Sequence, residues 1–410
     1  MPMFTRNKEV IKSHPTINES GIKIVSQMKY LGVTLDCKLD WYPRTQYLEN
    51  KVLIIRNSLV RCSTATWLMT FHNLMTVYKY AILSVITYAS QAWSTSVSKR
   101  AKTKLQQIQG AFLIFITKAY KSVSNEALSA IAGIMPIEQA MQLYKDRRGI
   151  SRGNPTNAVR AALKKIETPS KTRGIHPKDN HISVDLSGKV GKANMKIFTD
   201  GSKTENHVGA NMVSEKDSKE IHINTQRLNT TCTVFQDEVS MTIDWIQSQG
   251  KKTSSYAINV DSKAALLAIA NKHSTHPLAV AIRVKAIKLR ISTSITFHWV
   301  KGHAGLKGNE RADCLAKTVA RYKNSIAYDE IPINRGKQIL EDHYSKIWNA
   351  IYVNSANTSH TKLYIPTIFH RLSLPLWPNF LLTQFLTNQG QLPFIPSQNK
   401  QDALPKLQLS

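Results

Sequence analysis

Four carboxylates stand where they could share a cation. Asp200 follows the apolar run Met195–Thr199, and Asp261 follows Tyr256–Val260; both runs read as strands. Glu238 falls in the first turns of the helical stretch Val234–Ser248, and Asp313 falls early in another, Asn309–Tyr322. In an α/β sheet, strand ends and first helical turns can converge at one edge. Clustered carboxylates repel one another, so such a group is costly unless a cation neutralises it. Oxygen-only donors, with no Cys and no obligatory His, favour a hard ion: Mg²⁺, with Mn²⁺ as a possible substitute. Taken singly, each residue has a plainer role. Asp200-Gly201 is a turn signal, Asp261 before Ser262 an N-cap, and Glu238 and Asp313 solvated groups near helix starts.

The wording around these residues is more specific than their types. Ile197-Phe-Thr-Asp-Gly-Ser202, Val234-Phe-Gln-Asp-Glu238, Asn259-Val-Asp-Ser262 and His298-Trp-Val-Lys-Gly-His-Ala-Gly-Leu-Lys-Gly-Asn-Glu-Arg-Ala-Asp313 resemble the successive motifs of type 1 ribonuclease H. The resemblance implies that Asp200, Glu238, Asp261 and Asp313 hold two Mg²⁺ ions. His303 matches a mobile histidine beside the scissile phosphate, with proton shuttling or product release as its role. Gly201, Ser202, Ser262 and Asn309 are candidate substrate contacts, and Glu238 with the backbone near Gly201 and Ser202 is a candidate reader of 2′-hydroxyls. The implied reaction is two-metal hydrolysis of the RNA strand of an RNA–DNA hybrid, leaving a 5′ phosphate. One departure is Asp237, where the family usually carries a small residue such as Ala.

The elements expected to position these residues are three strands followed by alternating helices and strands. Met195–Thr199, His207–Val213 and Glu220–Thr225 come first. The helix Val234–Ser248, strand Ser255–Val260, helices Lys263–Ala270 and Leu278–Ile291, strand Ser294–Val300 and helix Asn309–Tyr322 follow. The fold class is α/β: a ribonuclease H-like mixed five-stranded sheet flanked by helices, over residues 193–323. Residues 1–150 read as mainly α-helical, with a strand at Lys29–Leu35 and helical patterns at Tyr47–Cys62, His72–Trp93, Lys99–Tyr120 and Leu128–Tyr144, the last broken at Pro136. Residues 151–192 read as a basic Pro/Gly-rich linker with one short helical patch. Residues 324–410 carry a helix near Gln338–Ile351 and then an irregular, proline-rich stretch.

The flanks carry a resemblance of their own. Met28–Asp36, Tyr78–Trp93 and Ala119–Pro136 resemble the thumb and connection that follow the palm in reverse transcriptases of insect-type non-LTR retrotransposons. Tyr364-Ile-Pro-Thr-Ile and Asn379–Gly390 resemble the tail after ribonuclease H in the same polyproteins, there often leading to a zinc knuckle. No Asp-Asp pair occurs, so no polymerase site is visible; the chain is expected to be a C-terminal part of such a polyprotein, beginning after the palm.

Composition agrees with a polyanion partner. Lys plus Arg number 55 against 27 Asp plus Glu, a net charge of +28. No acidic residue lies between Glu49 and Glu126, while Lys51, Arg56, Lys99, Lys118 and others fall in that gap. Either this is a phosphate-tracking surface or an ordinary solvated one that happens to be basic. No stretch has the length and apolarity of a membrane span, and no signal-peptide run or protein partner is evident. Cys37, Cys62, Cys232 and Cys314 are scattered, which suggests neither a zinc site nor a disulfide framework and fits a reducing, intracellular setting. The alternative to an active nuclease is a catalytically silent nucleic-acid-binding remnant; a transposase or integrase of the same fold fits the Gly-His-Ala-Gly block less well.

Overall fold

The computed structural model describes residues 2–3, 16–17, 20–21, 23–64, 69–163, 165–170, 178, 181–203, 208–228, 238–249, 255–290, 293–319 and 326–390. It divides into two compact units: Met1–Asp146 with Ile339–Ser410, and Arg147–Gln338.

The second unit is built on a mixed sheet. Its strands are β1 (Val184–Gly188), β2 (Met195–Lys203), β3 (Val208–Lys216), β4 (Lys219–Leu228), β5 (Ser255–Val260), β6 (Ser294–Val300) and β7 (Ile326–Tyr328). Their order is β7-β4-β3-β2-β5-β6-β1. The central five are those expected from the sequence; β1 and β7 are short additions at the two edges, and β1 lies in the stretch read as a linker. β2, β3 and β4 pair antiparallel, whereas β5 runs parallel to β2 and β6 parallel to β5. The helices are α1 (Glu238–Ser248), α2 (Lys263–Ala270), α3 (Pro277–Leu289) and α4 (Lys307–Val319).

Alternation along β2 sorts its side chains between two cores. Met195 and Ile197 join the larger apolar cluster, with Val239 and Ile243 of α1, Leu266 of α2 and Ile282 of α3. Phe198 faces the other way and packs with Val213 and Ala312 beneath α4. Asp200, two residues further, shares the Phe198 face. The parallel register sets Val260 opposite Thr199, so Asp261 emerges next to Asp200. Buried Asn259 ties this arrangement together: its Nδ2 donates to the Ile197 carbonyl at 3.1 Å, and its Oδ1 accepts from Gly191 N at 2.9 Å.

In the first unit, the helices Tyr42–Thr64, Lys99–Thr117 and Asn125–Ala132 surround a core containing Trp93, Tyr78, Phe112 and Leu128. The single strand expected at Lys29–Leu35 is a hairpin, Gln27–Tyr30 with Val33–Asp36. It turns at Leu31 (φ 45°) and Gly32 (φ 77°), the paired left-handed conformation of a two-residue hairpin loop. The helix expected over His72–Trp93 is interrupted by a π turn at Tyr78–Ile82 and by Ala89 at φ 55°. Tertiary bonds hold this second break: the Tyr88 hydroxyl donates to the Leu31 carbonyl, and Trp93 Nε1 donates to the Tyr88 carbonyl. The tail is more regular than its prolines suggested, with helices Ile368–Ser373 and Phe380–Thr387. Its Trp348, Tyr352, Ile365 and Leu382 pack with Ala130 and Ile131. Among the described residues no helix is long and apolar enough to cross a membrane.

Helix α4 approaches the sheet at Gly308, where an added Cβ would fall 2.3 Å from Cδ2 of Phe198. The Phe198 ring is itself buried and has little room to yield. Gly308→Ala is therefore expected to destabilise this unit by roughly 1–3 kcal/mol, as overpacking does. Thermal unfolding of wild type and variant side by side checks this; an unchanged melting temperature would show that α4 is not held by this contact.

Candidate active site

Three of the four sequence-derived carboxylates gather within β2, just past the end of β5 and on the adjoining helix. Asp200 is only 7% exposed, and one of its oxygens accepts the Gly201 N–H at 2.7 Å. Asp261 leaves β5 just before α2. The N-cap of that helix is Ser262, whose hydroxyl accepts from Ala265 N at 3.3 Å, so the Asp261 carboxylate is not engaged in capping. Trp299 Nε1 donates to the Asp261 carbonyl at 2.9 Å and fixes its backbone. Gly302 lies against the Asp261 side chain; an added Cβ would come 3.1 Å from Oδ2. Asp313 projects from α4, the helix seated over Phe198 and Val213. Glu238 opens α1, and its side chain lies outside the described residues, as does the whole of residues 231–237 before it.

The electrostatics show that these groups share one field. The Asp200 carboxyl is pushed up to about 7, first by burial and then by the charge of Asp261, with Asp313 adding to it. The Gly201 N–H and the Lys317 ammonium oppose the rise. Asp261 is likewise raised, chiefly by burial and also by Asp313, while its own backbone amide and His303 oppose the shift. Carboxyls held above their ordinary range by burial and by neighbouring negative charge form a place where positive charge is stabilised. In donor chemistry the set fits a hard divalent ion. Among the described residues no group of three or more Asp, Glu, His or Cys side chains stands close enough together to hold a metal ion.

His303 sits at the rim. It takes a left-handed backbone (φ 52°) in a loop that also contains Gly305 at φ 75°. Its side chain is 79% exposed, with Nδ1 4.0 Å from Asp313 Oδ2. The remaining candidates occupy more structural surroundings. Gly201 gives its N–H to Asp200, and Ser262 gives its hydroxyl to the α2 cap. Asn309 is buried in α4, with Oδ1 unpaired among the described residues. Ser202 lies half-buried in β2, paired in register with Gly209 of β3.

Two further residues belong to the site. Lys317 Nζ donates to Asp313 Oδ2 at 2.6 Å, one helical turn away, so a cation already stands at the edge of the cluster. The signal was present as an Asp-to-Lys spacing of four, which more often marks an ordinary surface pair. Asn211 lies directly across from Asp200 in the β2–β3 register. It is fully buried, and neither end of its amide has a hydrogen-bond partner among the described residues. A lone amide within the apolar run Val208–Val213 was the available clue.

Comparison with known proteins points to the same stretch of the chain. Residues 192–321 match the RNase H family model, so the chain carries a ribonuclease H domain there. A retrovirus-related Pol polyprotein of the type-1 retrotransposable element R1 4 of Nasonia vitripennis is 29% identical over 117 residues, 28% of this chain and 30% of that protein. A 115 kDa protein of the type-1 retrotransposable element R1DM of Drosophila melanogaster is 22% identical over 151 residues, 36% of this chain and 15% of that protein. This chain thus spans less than a third of either relative. Among solved structures, the N-terminal RNase H domain of a Mycobacterium tuberculosis protein, fused to maltose-binding protein, matches 32% of this chain and 98% of its own. It does so at 17% identity with a TM-score of 0.26.

The raised Asp200 carboxyl has a measurable consequence. Its folded-state value of about 7 lies above the ordinary 3.8, so folding favours the protonated form. That contribution is fully present below about pH 4 and is lost as pH rises through about 7. In chelator, the melting temperature of the ribonuclease H unit should fall by a few degrees between pH 5 and pH 8. Asp200→Asn should flatten that fall, and millimolar Mg²⁺ should reverse it in the wild type. Equal slopes for wild type and variant in chelator would rule out Asp200 as the titrating group.

Proposed function

We propose that residues 192–321 hydrolyse the RNA strand of RNA–DNA hybrids with divalent metal ions, as part of a retrotransposon-derived protein. The observation carrying this reading is the convergence of Asp200, Asp261 and Asp313 within one electrostatic field, in a stretch that matches the RNase H family model. Asp200, Asp261, Asp313 and, from the first turn of α1, Glu238 would hold the ions. When bound, the ions supply an activated water and charge at the leaving 3′ oxygen, with Mg²⁺ the expected species and Mn²⁺ a substitute. The protein's own part is positional. The sheet fixes Asp200 and Asp261, while α4 sets Asp313. The exposed His303 ring can take or give a proton at Nδ1 or Nε2 as the product phosphate leaves.

Asp261 gives the most direct test. Asp261→Asn keeps size and one carbonyl oxygen but removes the charge that a hard ion needs. Cleavage of a labelled hybrid in Mg²⁺ should fall by several orders of magnitude. The metal-free variant should melt no lower than wild type, since one repelling charge is gone. Near wild-type cleavage would remove Asp261 from the ligand set. If wild-type protein binds hybrid but cleaves none in Mg²⁺ or Mn²⁺, the chain is the catalytically silent remnant instead.

His303→Ala should slow turnover about ten- to a hundredfold without abolishing it, because the residue stands at the rim and the cation-binding charge lies elsewhere. Single-turnover kinetics separate the two outcomes. A rate as low as that of Asp200→Asn would make His303 essential to bond cleavage itself.

A further inference from the structure

Three cations converge on one aromatic ring in the helical unit. Lys29 Nζ lies 5.1 Å from the centroid of Tyr47, Lys51 Nζ 5.2 Å, and the guanidinium carbon of Arg44 5.5 Å. Arg44, Tyr47 and Lys51 follow one another at spacings of three and four along the helix Tyr42–Thr64, so they share a face. Lys29 reaches the same ring from the hairpin strand Gln27–Tyr30. These residues line a cleft of about 400 Å³, completed by Gly32, Leu48, Ser84, Val85 and Tyr88; among the described residues no carboxylate lines it.

Such a grouping is the mirror image of the carboxylate cluster. Like charges this close repel, and a tyrosine ring offsets them weakly at an exposed site. Arg44 makes the imbalance sharper. It is 2% exposed, its Nη1 donates to the Gly32 carbonyl at 2.9 Å, and its Nε has no partner among the described residues. A buried guanidinium without a carboxylate is a costly feature unless an anion completes it. The ligand that suits two flexible ammonium groups and one guanidinium is a phosphate, with several acceptor oxygens.

The shape narrows the choice. A cleft of about 400 Å³ has room for a nucleotide, while a duplex could only lie across its mouth. Tyr88, 52% exposed and tied through its hydroxyl to Leu31, offers a fixed ring face at the edge. Bases stack on such faces without regard to sequence. The absence of acidic residues from Glu49 to Glu126 leaves few charges nearby in the chain to repel a continuing strand.

We propose that this cleft binds a single-stranded nucleic acid, holding one phosphodiester between Lys29, Arg44 and Lys51 and one base against Tyr88. The reading stands whether or not the ribonuclease H unit cleaves.

Fluorescence anisotropy of the full-length protein with a labelled single-stranded oligonucleotide of about ten nucleotides, titrated with salt, tests it. Both lysines are exposed, so Lys29→Gln with Lys51→Gln should leave the melting temperature unchanged. Affinity should drop about tenfold, and the slope of log affinity against log salt should shrink by about 0.7, as expected when one phosphate of a single strand is no longer neutralised. Lys118→Gln with Lys121→Gln, exposed lysines outside the cleft, should change affinity by less than about twofold. Tyr88→Ala should weaken binding several-fold with the salt slope intact. Equal losses for the two lysine pairs would reduce the effect to general charge and overturn the site. Displacement of the oligonucleotide by an acidic peptide at equal charge concentration would overturn it in favour of an acidic protein partner.

Discussion

Mutual repulsion among buried carboxylates is the constraint around which the ribonuclease H unit is arranged. Asp200 and Asp261 gain nothing from each other's company; burial and proximity push both carboxyls up. The fold holds them together because neither can move without breaking something else. Asp200 belongs to a strand hydrogen-bonded on both sides, by β3 and β5. Asp261 is anchored by Trp299 through its carbonyl and preceded by Asn259, which spans to β2. The apolar clusters on the two faces of the sheet supply the free energy that this crowding consumes. A site that destabilises the metal-free fold is one in which cation binding and folding are linked.

The helical unit shows the same logic with the sign reversed. Around Tyr47, three cations crowd together with no acid lining the cleft among the described residues. The surrounding helices bury Leu48, Trp93 and Tyr78, and that packing offsets the repulsion. Apart from the Lys317–Asp313 pair, the charges in these two places are of one sign, unlike a surface ion pair such as Lys104 with Glu49, whose partners satisfy each other. Unbalanced charge held by a rigid frame is a recognition element, because a ligand of opposite sign supplies what the fold withholds.

Legibility in the sequence followed how local the determining physics was. The strands Met195–Thr199 and Ser255–Val260 were readable because their apolar runs have no competing interpretation, and the carboxylates at their ends came with them. The edge strands β1 and β7 were not, since a short strand at a sheet margin is decided by its neighbour; Val184–Gly188 resembles a loop until β6 is beside it. The hairpin at Leu31-Gly32 was missed for a related reason. A leucine at φ 45° is not a turn signal, and only the pairing of Gln27–Tyr30 with Val33–Asp36 forces it there. Ser262 as the true cap of α2 was a matter of one residue, yet it decides whether Asp261 is available. Asn211 and Lys317 were visible as letters but had no meaning until register and helix placement brought them to Asp200 and Asp313.

The three described carboxylates are not equivalent, and the difference follows from the elements that carry them. Asp200 is locked in the β2–β3 ladder, which cannot stretch by fractions of an ångström without disturbing its neighbours, and Asp261 follows the end of β5 with its carbonyl tied to Trp299. Asp313 rides on a helix held mainly by side-chain packing, and that packing permits small rigid-body adjustments. It is also the described carboxylate that already has a cationic partner, in Lys317 at 2.6 Å, with His303 at 4.0 Å. On the proposed reading, a cation at the strand pair would compete with Lys317 for Asp313. The lysine is half-exposed and can move its charge into solvent on its four-carbon stem. On the proposed reading, two fixed donors and one adjustable donor would suit a small ion whose geometry is demanding. The left-handed backbone at His303 and Gly305 places the exposed His303 imidazole beside that adjustable donor.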